Sequence, residues 1–136
     1  FEKLKDVKYR IYVELFNNEL NEKLLNNLKE HSPVFTPSLG LSEDLANFSY
    51  IGEFEYKENN GDVSIDSVVN MNGLTPKNIE FEDGKEYFSD TYALEMKEDR
   101  EVTSYGEILI ERTGKTIRLI NSDYIVLTNE EKIVWI

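Results

Sequence analysis

Residues 8–16 alternate with period two. Tyr9, Ile11, Val13 and Leu15 share one face; Lys8, Arg10, Tyr12, Glu14 and Phe16 share the other. β-branched and aromatic residues dominate the run, which predicts a strand. Asn17-Asn18 then reads as a turn and helix N-cap. From Glu19 to about Glu30, Leu20, Leu24, Leu25 and Leu28 recur at helical spacing with Asn, Glu and Lys opposite. That pattern predicts an amphipathic helix whose leucines pack on the preceding strand. The helix must end before Pro33, which disfavours helical backbone at Ser32.

The pattern breaks between His31 and Tyr50. Pro33 and Pro37 favour extended backbone around Val34-Phe35-Thr36. Gly40 permits conformations that a Cβ disfavours. Ser42 before Glu43-Asp44 reads as a helix start, so a short helix or turn is expected at about 43–47. An ordered, non-repetitive loop of this length is often functional. Period two resumes at Phe48–Glu58. Asn60-Gly61 signals a two-residue hairpin, with the return strand at about Asp62–Asn70. Met71–Asn78, with Gly73 and Pro76, reads as a loop. The rest alternates between β-rich runs and turns: Ile79–Glu82, Tyr87–Met96, a charged turn at Lys97–Glu101, Val102–Glu111, Thr116–Ile120, Tyr124–Leu127 and Ile133–Ile136. Turn signals every 8–12 residues predict antiparallel sheet.

Charge changes this picture in one respect. The net charge is −12, yet up to Glu30 six bases balance six acids, so the imbalance lies after residue 30. A groove that tracks phosphates needs positive potential. Residues 31–136 do not supply it; they offer a solubilising surface or a face for a basic partner. Cysteine is absent, which excludes a disulfide scaffold and thiolate metal sites and fits a reducing, cytoplasmic setting. No apolar run approaches the length of a membrane span, so no membrane partner is expected. The chain starts at Phe1, not Met, and further residues are expected upstream.

Candidate chemistry is sparse. His31 could act as a general base, but no nucleophile or acid sits at a motif spacing, and a helix-terminal His on the negative end of the dipole is the simpler account. One His and no Cys leave no metal site and no cofactor to expect. No phosphate-binding glycine loop is present. The hydroxyls of Ser32, Thr36, Ser38 and Ser42 could meet a phosphate or cap turns. On the 8–16 face, Lys8 and Arg10 beside Tyr12 and Phe16 could stack on and neutralise single-stranded nucleic acid; an ordinary amphipathic strand has the same pattern.

The run Lys8–Leu15, the Leu-rich helix and His31–Glu43 together resemble a CRISPR-associated family. This is the Cas-five subunit of type I (I-B-like) Cascade interference complexes, in the RAMP superfamily. Tyr12-Val13-Glu14, Pro33, Phe35-Thr36-Pro37, Leu39-Gly40 and Ser42-Glu43 match the family motif in order, and Tyr92–Met96 ahead of Arg100 matches more loosely. The resemblance implies an α+β fold. Residues 1–58 would be the C-terminal half of a ferredoxin-like (RNA-recognition-type) domain, and 59–136 an antiparallel β-rich C-terminal domain. The family's first strand, helix and hairpin thumb would precede Phe1. The implied role is non-catalytic and belongs to antiviral defence. The subunit caps the 5′ handle of the guide RNA (crRNA) and bridges the backbone and large subunits of the ribonucleoprotein, meeting target DNA only indirectly. Lys8, Arg10, Ser38 and Gly40 are the expected RNA contacts. The alternatives are an endoribonuclease that processes precursor guide RNA, as in one subtype of the family, and an unrelated β-rich binding module.

Overall fold

Asn17 opens the one α-helix among the described residues. Its backbone is extended (φ −99°, ψ 114°), and its side-chain oxygen accepts from Leu20 N at 3.0 Å, satisfying one of the free donors of the first turn. Helix α1 spans Asn18–Lys29, with Glu19 in its first turn and Lys29 in its last. Both charges complement the dipole. It stops where the backbone turns left-handed at His31 (φ 51°). Ser32 N donates to Asn27 O and His31 N to Leu28 O, the paired bonds of a Schellman motif. His31 thus holds the position glycine usually takes, and its ring stacks on Phe48 at 5.2 Å.

The computed structural model describes residues 7–39 and 43–136, and the chain divides into two compact units at Gly52/Glu53. In the first unit the predicted strand at Lys8–Phe16 has no ladder; of the predicted Phe48–Glu58 strand, residues 48–55 have none either, and Tyr56–Glu58 pair instead within the second unit. Period-two alternation marks a strand only when a partner completes its hydrogen bonds, and no described residue does so. The leucine stripe of α1 is accordingly not a core, for no helix residue is buried. The predicted helix at 43–47 is also absent. Ser38 and Leu45 form an isolated antiparallel bridge, with Leu39 N on Asp44 O at 2.8 Å and Ala46 N on Pro37 O at 2.9 Å. These cross-loop bonds need no helical nucleus, whereas a single turn pays the whole nucleation cost for one bond.

The second unit holds seven strands: β1 (Tyr56–Ile65), β2 (Val69–Asn70), β3 (Ile79–Glu80), β4 (Tyr87–Met96), β5 (Val102–Glu111), β6 (Ile117–Leu127) and β7 (Lys132–Ile133). All pair antiparallel. One sheet centres on β6, with β1 along one edge and β3 and β7 sharing the other; the second has the order β2-β5-β4. Val63 and Ile65 of β1, Val69 of β2, Ile79 of β3, Leu109 of β5, and Ile117 and Leu119 of β6 form one buried cluster between the sheets. The described residues are therefore mixed, with one α-helix and mostly antiparallel sheet, and no helix among them is long and apolar enough to cross a membrane.

Two departures here have one cause. Asn60-Gly61 makes no hairpin: β1 runs through it as a single strand and pairs with β6 up to Ile65↔Ile117. The expected break between Thr116–Ile120 and Tyr124–Leu127 is likewise absent, and β6 is continuous. The two turn-like sites face each other in register, Gly61 opposite Ser122, and the ladder shifts between Gly61 and Val63. Gly61 (φ 143°) and Asn121 (φ 48°) use their backbone freedom for a β-bulge instead of a reversal. Asp62 ties the bulge down by accepting from Asn121 N at 3.0 Å. The C-terminal strand is shorter than the expected 133–136. Beyond Ile133, Val134 N donates to Ser67 Oγ at 3.1 Å instead of to a strand.

Candidate functional site

The motif stretch lies in the first unit, and its two halves are brought together. The Ser38–Leu45 bridge sets Pro37, Ser38 and Leu39 against Asp44, Leu45 and Ala46. Gly40 and Ser42 lie outside the described residues. Pro33, Thr36 and Glu43 are exposed, as are Phe35 (84%) and Leu39. Pro37 is half-buried. Lys8 and Arg10 are exposed on the segment ahead of α1, apart in sequence from the bridge that holds Ser38. The helix end is fastened to residues 48–50 by the His31–Phe48 stack and by Lys29 Nζ, 5.4 Å from the Tyr50 ring centroid.

Burial is the unusual property of this unit. Not one described residue from 7 to 52 is buried. Ile11 (81%), Phe16 (90%) and Val34 (72%) stand open with Phe35. Charge does not make the unit a phosphate groove. Its described bases are Lys8, Arg10, Lys23 and Lys29, and none lies between His31 and Gly52. Cationic phosphate contacts from its described residues are confined to the positions before and within α1.

The second unit contains a feature that the sequence reading did not anticipate. On the free edge of β6, β3 covers Arg118 and Leu119, and β7 covers Ile125 and Val126. Between them, residues 120–124 have no strand on that side among the described residues. A hollow of about 430 Å³ opens at this gap. Asn60, Asn70, Asn72, Asn78 and Asn121 line it, and no Lys, Arg or His does. Asn60 Nδ2 donates to Asp123 Oδ1 at 2.6 Å, and Asn78 Nδ2 to Ile120 O at 3.0 Å. Leu74, Val134 and Trp135 form its apolar side, and Trp135 meets Tyr56 edge-on with ring centroids 6.1 Å apart. Each asparagine alone reads as a turn signal. Spread from 60 to 121, they are far from Trp135 in sequence, and only the fold gathers them beside it.

One carboxylate stands apart. Glu111 is 8% exposed at the end of β5. It accepts from Glu86 N, Thr113 N, Thr113 Oγ1 and Lys115 N. Burial pushes its pKa up, but the combined hydrogen bonds from Glu86, Thr113 and Lys115 outweigh that and hold it at about 2. This is a structural anchor for the β5–β6 turn, its oxygens taken up by N–H and hydroxyl donors of the turn and of Glu86. No group of three or more potential ligands for a metal ion occurs among the described residues.

No protein-family model, curated protein or solved structure matches the chain.

Proposed function

We propose that this chain is part of a non-catalytic assembly subunit of a CRISPR type I interference complex, one that caps the 5′ handle of the guide RNA and joins the backbone and large subunits. The motif from Tyr12 to Glu43 suggests it. The observation that carries the assembly half is the first unit, which has a capped helix and a bridged loop but no buried residue among those described. Fully covering one large apolar side chain stabilises by about 1.5–3 kcal/mol. Covering Ile11, Val13, Phe16, Val34 and Phe35 together is on the order of 10 kcal/mol, comparable to the roughly 4–15 kcal/mol that association costs. In the ferredoxin-like reading, residues 8–16 and 48–55 complete their ladders against neighbouring strands, and α1 packs its leucines on that sheet. Lys8 and Arg10, with Ser38 and Gly40, take the RNA side; the acidic remainder takes protein.

Coexpression of the intact protein with the backbone subunits and repeat-derived RNA tests this. Wild type is expected to copurify with both. Phe35→Asp paired with Val34→Asp should release the protein subunits, and Lys8→Ala with Arg10→Ala should weaken handle binding and reduce its salt slope by about 1 per lost phosphate contact. Failure of the intact protein to associate with either subunits or RNA ends the reading. A single defined cut in the repeat RNA makes the protein an endoribonuclease instead.

A further inference from the structure

We propose that the hollow on the open edge of β6 is a binding site for a neutral, hydroxyl-rich ring ligand of the saccharide class. This rests on the second unit alone and is independent of the assembly reading.

The shape excludes an added strand. The uncovered length, residues 120–124, is about 16 Å at ~3.3 Å per residue. It is closed in line by β3 at one end and β7 at the other. An extended peptide laid against it would run into both, so the slot suits a compact ligand. Its volume of about 430 Å³ falls within the usual small-ligand range of about 300–1,000 Å³.

The lining selects the ligand's chemistry. Phosphates and carboxylates are disfavoured, because no cationic side chain lines the hollow and the chain carries −12 overall. The one lining carboxylate, Asp123, accepts from Asn60 and keeps acceptor capacity to which a ligand hydroxyl can donate. What remains is amide. A carboxamide donates two hydrogen bonds and accepts two, which matches hydroxyls that also do both. Asn72 and Asn121 make no side-chain hydrogen bond with other described residues, and both are exposed, so their capacity is open to a ligand. Asn121 takes this position at the cost of a left-handed backbone (φ 48°) in the middle of a strand, a strain that asparagine bears better than most residues. Trp135, 41% exposed beside Leu74, gives an apolar platform for the C–H face of a ring.

Trp135 is the only tryptophan in the chain, so its emission reports the site directly. The intact protein is titrated with N-acetylglucosamine, cellobiose and maltose, with adenosine, inorganic phosphate and spermidine in parallel, and calorimetry as a second readout. The expected result is a saturable change with at least one sugar, insensitive to salt and weakened about tenfold in Asn72→Ala and in Asn121→Gly, each of which removes one or two hydrogen bonds. Asn121→Gly tolerates the left-handed backbone, and circular dichroism of both variants checks that the sheet is intact. The proposal is overturned if none of the sugars gives saturable binding, if only adenosine, phosphate or spermidine does, or if sugar binding survives both substitutions unchanged.

Discussion

Glu111 illustrates how one side chain sets a local geometry. Its carboxylate gathers the N–H groups of Glu86, Thr113 and Lys115, donors that a turn otherwise leaves to water. Its pKa is lowered from 4.5 to about 2 in the folded protein. The folded state therefore binds its proton less readily than the unfolded state. The stabilisation is fully present above pH ~4.5 and is lost as pH falls through about 2. Thermal melts from pH 7 to pH 2 should show wild type losing stability across that window, with Glu111→Gln starting lower at pH 7 and falling less steeply. Gly106 is a second such position. A Cβ there would overlap Leu94 Cδ1 and come within 3.2 Å of Asn72 Nδ2. Gly106→Ala should cost about 1–3 kcal/mol by overpacking, and adding Leu94→Ala should return part of that loss in denaturant titrations.

At the level of elements, β4 and β5 were legible to the residue: Tyr87–Met96 and Val102–Glu111 occupy the predicted spans. Their partner lies next in sequence, so local alternation and a charged turn sufficed. Helix α1 was legible from Asn17 and the leucine spacing. The β1–β6 pair was not. Gly61 can serve a hairpin or a bulge equally well, and the choice is made by β6, about sixty residues on. Lys8–Phe16 failed differently. Its alternation is clear, but the ladder that would make it a strand is not supplied by any described residue. The motif loop was readable as a Pro- and Gly-marked connector, yet its bridge depends on Pro37 and Asp44 carbonyls that no side-chain pattern reports. The hollow beside β6 is a gap between two short strands, and a gap has no residues of its own to read. Asn17→Ala should lower the helical signal and cost α1 about 1 kcal/mol, measurable by circular dichroism.

At the scale of the whole molecule, the two units differ in what holds them. The second closes seven strands over Ile65, Val69, Ile117 and Leu119, each at most 1% exposed. The first has a twelve-residue helix, a bridged loop and ring contacts, and none of its described residues is buried. An isolated helix of that length is marginal in water. Hydrogen exchange on the protein alone should therefore show slow amides in β1, β5 and β6 and near-unprotected amides from 7 to 52 outside α1. Equal protection in both units would mean that the first is held by more than the contacts described above.

The lack of any buried residue among those described between 7 and 52 also bears on the protein's fate in a cell. A polypeptide that keeps Phe16 and Phe35 open is a substrate for chaperones and proteases until those rings are covered. Binding that selects the covered form withdraws it from degradation. Its steady-state amount should then follow the supply of whatever covers it, so that surplus copies are cleared and stoichiometry is set without any dedicated regulator. Pulse-chase half-lives with and without the covering partner would read this directly.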